Sequence, residues 1–146
     1  MYNFGVLIIY YEVIKILFSS IIISNNKYVL ILKKGDKWTI PSKILNLKEV
    51  NIDIICKEIQ EIIGIKLTSK ECVLIKNINE FKENKKKELD FHKCYLFNIE
   101  ENDIIILKKE SGFCDGKWVQ LKDIDYYLKN NDMKNYIKKI EKITSV

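Results

Sequence analysis

The stretch Trp38–Ile65, WTIPSKILNLKEVNIDIICKEIQEIIGI, holds the groups of this chain best placed to do chemistry. Its second half predicts a helix from Asn51 to Ile63. Asn51 can cap it, Asp53 suits its positive end, and Gly64 stops it. Placed at about 100° per residue, Ile52, Ile55, Cys56, Ile59, Ile62 and Ile63 share one arc of about 120°, the stripe a core would take. Glu58 and Glu61 lie just outside that arc, one turn from each other. Two carboxylates at that spacing can share a divalent cation. Oxygen ligands suit Mg2+ or Mn2+, which bind few protein carboxylates and complete their shell with water and substrate phosphates. Lys57 can pair with Glu61 or Asp53, and Glu49 can reach the same region from the preceding loop. The same spacing is ordinary on the wet face of an amphipathic helix, and periodicity alone favours that plainer account.

These side chains need a frame. Val6–Tyr11 and Ile14–Ile23 are apolar runs rich in branched residues and predict strands. Ser24-Asn25-Asn26-Lys27 is a turn cluster, so Leu17–Ile23 and Tyr28–Lys33 should form a hairpin. Lys34-Gly35-Asp36-Lys37 is a second turn, followed by a short extended piece, Trp38–Ile40, that Pro41 ends. Ser42–Val50 has no steady period and predicts a loop. Beyond the helix, Cys72–Lys76, Lys93–Ile99, Ile104–Lys109 and Lys117–Leu121 predict strands, with a hairpin turn at Glu100–Asp103. Asp123–Leu128 predicts a short helix. Met133–Ile143 predicts a terminal one, with Tyr136, Ile137 and Ile140 on one face. This order implies an α+β fold: a mixed sheet covered by helices. Residues 1–146 are expected to form a single domain. Residues 1–15 would be an N-terminal extension able to add a strand within the domain or across a homodimer.

Composition narrows the class. The 146 residues suit one domain with a real core, and one Pro and five Gly argue against disorder or a collagen-like chain. The apolar stretches Met1–Tyr11 and Ile16–Asn26 are separated by Glu12 and Lys15, so neither spans a membrane. No basic start or small-residue cleavage site marks a secretory signal. The four Cys (Cys56, Cys72, Cys94, Cys114) form no C-x-x-C pair, which suits reduced thiols in a cytoplasmic protein. The chain has 25 Lys and no Arg, so every cationic contact comes from an ammonium rather than a bidentate fork. Net charge is +5. Lys85–Lys87 lies between Glu83 and Glu88 and suits a solvated loop better than a nucleic-acid patch.

The segment resembles the signature box of the Nudix hydrolases, G-x5-E-x7-R-E-U-x-E-E-x-G-U with U a bulky aliphatic, which a W-x-x-P stretch often precedes. Trp38 and Pro41 match the lead-in, and Glu49 matches the first Glu. Glu58, Ile59, Glu61, Gly64 and Ile65 match at their spacing. Three positions in Lys43–Ile65 depart: Lys57 stands for Arg, Lys43 for the first Gly, and Ile62 for the last helix Glu. Lys117–Ile124 resembles the late strand and following helix of that family. The resemblance implies an α/β/α arrangement in which the box forms a loop and helix that hold metal.

It also implies an activity: hydrolysis of a pyrophosphate bond in a nucleoside diphosphate-linked substrate, with Mg2+ or Mn2+ polarising phosphate and generating the nucleophile. Glu58, Glu61 and Glu49 would be the metal ligands, with Glu58 and Glu61 also the catalytic pair. A base from a later loop would be Glu110, before the Gly112–Gly116 loop, ahead of Asp115, Glu88 and Glu80; a solvated loop carboxylate is the plainer role for Glu110. Lys43, Lys57 and Trp38 are the candidates for substrate contact, and Phe81, Phe91 and Tyr95 further aromatics that could stack a base. His92, the only His, suits a packed or surface role better than a catalytic one. A nucleotide-like small molecule is the expected partner, with RNA 5′ ends a weaker alternative supported only by basicity. The departures set a second expectation beside the first: a Nudix-fold ligand-binding or interaction module that has lost hydrolysis. An Arg-free chain accounts for Lys57. It does not account for Ile62, because 12 Glu occur elsewhere.

Overall fold

The computed structural model describes residues 14–47, 51–77, 91–129, 133–135 and 137–138. The expected strand at Val6–Tyr11, the extension before Ile14, Lys85–Lys87, and Tyr136 and Ile140 of the terminal helix lie outside them.

The branched run predicted at Ile14–Ile23 is strand β1 (Ile14–Ser24), and it turns into β2 (Tyr28–Lys34). Asn25 and Asn26 carry φ of 54° and 53°, and the Lys27 N–H donates to Ser24 O at 3.0 Å. Two consecutive left-handed residues match the right-handed twist of the flanking strands, and Asn tolerates that conformation better than most residues. Gly35, at φ 63°, turns β2 into β3 (Lys37–Thr39).

Residues Ser42–Leu47, expected as a loop, form strand β4 instead. They pair antiparallel with the first half of β1, from Ile14 opposite Leu47 to Ser19 opposite Ser42. The cause is tertiary. β2 pairs with β1 only at its end, Ile23 opposite Val29 and Ser24 opposite Tyr28, which leaves the rest of that edge to be satisfied.

The helix α1 (Ile52–Ile63) forms as expected. Asp53 N donates to Asn51 Oδ1 at 2.8 Å, and Gly64, at φ 74°, donates its N–H to Gln60 O at 2.8 Å. Ile55, Cys56, Ile59, Ile62 and Ile63 are buried. β5 (Cys72–Asn77) and β6 (Phe91–Ile99) follow. β6 runs parallel to β1 along Ile16–Ser24 and antiparallel to β5. β7 (Asp115–Gln120) pairs antiparallel with β2 from Tyr28 to Lys33. The sheet order is β3-β2-β1-β6-β5, with β4 on β1 and β7 on β2. Parallel and antiparallel pairs together make the mixed sheet that was expected.

Ile104–Lys109 is not a strand. Both edges of β6 are already taken, by β1 and β5, so no hairpin partner remains. The segment instead runs without regular structure into a short 3-10 turn, Lys109–Ser111. A second 3-10 turn, Leu121–Tyr126, stands where a short helix was expected.

The two sheet faces bury separate cores. Phe18, Ile22, Leu30, Leu32, Tyr95 and Phe97 pack with the apolar stripe of α1. Ile21, Ile23, Val29, Ile31 and Cys94 pack with Leu121, Ile124, Leu128, Met133 and Ile137 of the C-terminal segment. Residues 133–135 and 137–138 are helical, so the sheet lies between helical layers, an α/β/α arrangement. Among the described residues no helix is long and apolar enough to cross a membrane.

Candidate active site

β4 and α1 build the site together. Along β4, Lys43 and Leu45 share one face, the face of Phe18, which sits opposite Lys43 in the ladder. Leu45 and Phe18 both pack into the core under α1. Lys43 is thereby aimed at the helix, and its Nζ donates to Glu58 Oε1 at 2.9 Å. The Lys43 side chain is 44% exposed and that of Glu58 19%, so the pair lies where the helix meets the sheet edge and not in open solvent.

Glu61 sits one turn further along α1 and is exposed. It lies in the last turn, which contains no basic residue. A carboxylate there faces the negative end of the helix dipole and is disfavoured by a few tenths of a kcal/mol to about 1 kcal/mol unless a cation compensates it. Lys57 is exposed, and among the described residues it makes no ion pair with Asp53 or Glu61.

Ile62 is 4% exposed and belongs to the core beneath α1. Where the box would have a third carboxylate, this chain has an apolar contact with the sheet. Among the described residues no three His, Cys, Asp or Glu side chains gather closely enough to hold a metal ion. Glu49, Glu80, Phe81 and Glu88 lie outside the described residues. The donor set still fits one mode of binding. Glu58 and Glu61 supply hard oxygens, and Mg2+ commonly takes one or two carboxylates, keeping water and substrate phosphates for the rest. It does not fit an all-protein cage.

The segment after β6 closes the C-terminal end of α1. Ile106 N donates to Ile63 O at 2.8 Å, satisfying one of the carbonyls that a helix end leaves unpaired. Gly64 lets the chain approach this closely, because a Cβ there would lie 2.9 Å from Ile106 Cβ and 3.1 Å from Ile106 O. Trp118 Nε1 donates to Asp103 O at 2.9 Å and ties the same segment to β7. Glu110, the preferred base, is exposed in the 3-10 turn Lys109–Ser111, and Asp115 is exposed at the start of β7.

Trp38 is placed elsewhere. It packs against the core on the sheet face opposite α1 and meets Tyr127 edge to face, with ring centroids 6.0 Å apart. The Lys117 ammonium lies 4.8 Å from the Trp38 centroid and 4.2 Å from that of Tyr127, and Lys33 lies 5.8 Å from Trp38. The structure thus brings Lys43 to Glu58, with Glu61 one turn further along α1, and sets Trp38 apart from them. His92 lies in β6, paired with Leu17. Neither thiol near α1 is shifted toward its thiolate. Burial, then the carboxylates of Asp53 and Glu71, raises Cys56, and burial, then Cys56, pushes Cys72 up to about 12. Burial likewise pushes the Tyr95 phenol up to about 12. The Lys43–Glu58 contact was invisible to helical periodicity, since the partners are 15 residues apart and meet only through β4.

This arrangement is the fold of the MutT/Nudix proteins. A MutT protein from work on Aliivibrio salmonicida and Vibrio cholerae superposes with a TM-score of 0.65 at 18% identity, over 87% of this chain and 96% of that one. An Ap4A hydrolase of Caenorhabditis elegans, in a binary complex, gives 0.65 at 15% identity, over 88% and 98%. The NUDIX domain of Shewanella oneidensis NrtR, complexed with ADP ribose, gives 0.67 at 12% identity, over 87% and 86%. No family model and no curated protein matches the chain. The resemblance drawn from Lys43–Ile65 is therefore matched at the level of fold.

Proposed function

We propose that this protein is a divergent Nudix-type hydrolase that cleaves a pyrophosphate bond in a nucleotide-like substrate with Mg2+ or Mn2+. The observation that carries this reading is the placement of Glu58 and Glu61 on the wet side of α1. Glu61 sits at the helix end where a carboxylate is least comfortable without a cation. A carboxylate set against local stability in this way is what a functional site, rather than a structural one, would call for. The fold supports the same reading, since its solved neighbours include MutT, an Ap4A hydrolase and a domain holding ADP ribose. Glu58 and Glu61 would hold the ion, with Glu49 the third candidate. When bound, the ion would polarise a phosphate and lower the pKa of water. Lys43 and Lys57 supply ammonium groups for phosphate oxygens. Glu110 is the candidate base from the segment that closes the end of α1.

A second reading has its own observation. Ile62 is buried where a ligand would be expected, and Lys43 already neutralises Glu58. That favours a module that binds a nucleotide without turning it over. The two readings separate in one experiment: incubation with nucleoside triphosphates, dinucleoside polyphosphates and ADP-ribose-type compounds, with Mg2+, Mn2+ or EDTA. Metal-dependent product supports the hydrolase. Binding of a panel member without product in any metal supports the module and defeats the hydrolase.

A further inference from the structure

The Lys43–Glu58 contact defines a property of this site that the box pattern does not carry. The pairing is built by the fold: β4 register aims Lys43 at α1, and the two charged atoms meet at 2.9 Å. Glu58, at 19% exposure, is the more enclosed partner, whereas the Lys43 stem is long and 44% exposed, free to swing away. We infer that Lys43 is a tethered cation that occupies Glu58 in place of a divalent ion, so that metal enters only by displacing it. This rests on the proposed metal-dependent reading of the site. An ammonium on Glu58 opposes the ion in two ways: it holds the ligand oxygen, and its charge repels the incoming cation. A single and a double positive charge about 6 Å apart repel enough, even at the dielectric constant of water, to change affinity about tenfold. The chain would then bind Mg2+ or Mn2+ weakly on its own. A ligand bearing phosphate oxygens would offer Lys43 another partner and release Glu58.

The test is Mn2+ titration of the full chain without nucleotide, following free Mn2+ by electron paramagnetic resonance. Lys43→Ser is expected to bind Mn2+ about tenfold more tightly than the wild type, and Lys43→Met, which keeps the apolar stem, to do the same. The gain should vanish in Lys43→Ser/Glu58→Gln. Affinities of both Lys43 variants within about twofold of the wild type, or no binding by any of the three, would overturn the inference. Its failure is distinct from that of the hydrolase reading. A gain in Mn2+ affinity with no turnover of any compound removes the hydrolase and leaves the tethered cation. Turnover with affinity unmoved by loss of Lys43 does the reverse.

Discussion

Replacing Ile62 by Glu restores the box carboxylate and at the same time damages the core, and the size of each effect follows from where the side chain sits. Ile62 is 4% exposed and packs beneath α1 with Ile59, Ile63 and the sheet. Removing its buried apolar surface costs about 1.5–3 kcal/mol. Placing a carboxyl group in that setting costs about 1–3 kcal/mol more, with the group protonated or partly drawn out to solvent. The last turn of α1 has no basic residue, which adds a few tenths of a kcal/mol. Without metal, Ile62→Glu should therefore lose about 3–6 kcal/mol, a large part of the about 5–15 kcal/mol that holds a domain of this size together. If the new carboxylate joins Glu58 and Glu61 around an ion, Mn2+ at about 100 times its Kd returns about 2.7 kcal/mol. The assay is urea unfolding with and without Mn2+, followed by circular dichroism, beside the wild type. Two results would refute the reasoning. A metal-free variant as stable as the wild type would show that Ile62 does not support the core. An equal loss with and without Mn2+ would show that position 62 does not face the cation region.

Other consequences follow from single contacts. Asn51→Ala removes the cap on the Asp53 N–H and should cost about 1 kcal/mol in urea unfolding, against a few tenths for Asn51→Gly. Gly64→Ala imposes φ 74° on an L residue and brings its Cβ to 2.9 Å from Ile106, so a loss of about 2–3 kcal/mol is expected. Thiol chemistry should sort by burial. Burial pushes the Cys94 thiol up to about 12, and Cys72 is likewise pushed up to about 12, whereas Cys114 is exposed. At pH 8 iodoacetamide should modify Cys114 first, as mass spectrometry would report; equal labelling of Cys94 would contradict the packing. The same shifts set a pH dependence. A folded pKa of about 12 against an ordinary 9.0 means that the folded state holds its thiol protons more tightly. Their contribution to stability is complete below pH 9 and is lost as pH rises toward 12, so the melting temperature should fall across that window.

The helix and its caps were legible because their causes are local. Asn51, the apolar stripe and Gly64 act within a few residues of one another, and each sits where periodicity placed it. Strand β4 was not legible, because SKILNL has no strict alternation and becomes a strand only through the open edge of β1. Ile104–Leu107 misled in the opposite direction. Its alternation is real, with Ile105 and Leu107 half-buried and Ile104 and Ile106 exposed, but both edges of β6, the expected hairpin partner, are taken by β1 and β5. Its backbone serves the end of α1 instead. The site divides in the same way. Glu58 and Glu61 could be placed on one helix face from spacing alone. The partner of Glu58 could not, since Lys43 reaches it through a strand that local sequence does not announce. The lead-in Trp38 shows that a match in a linear pattern does not bring a side chain to the box, since it packs on the other face of the sheet.

The central claim is that Glu58 on α1 takes part in metal-dependent cleavage of a pyrophosphate bond. Its most direct test is kcat/KM for the best substrate of the panel, with Mg2+ or Mn2+, in the wild type and in Glu58→Gln, which keeps shape and removes charge. The account predicts a fall of at least about 100-fold, equivalent to about 2.7 kcal/mol of transition-state stabilisation, with the fold intact by circular dichroism. Turnover equal in the two proteins, or none in the wild type with either metal, would contradict it.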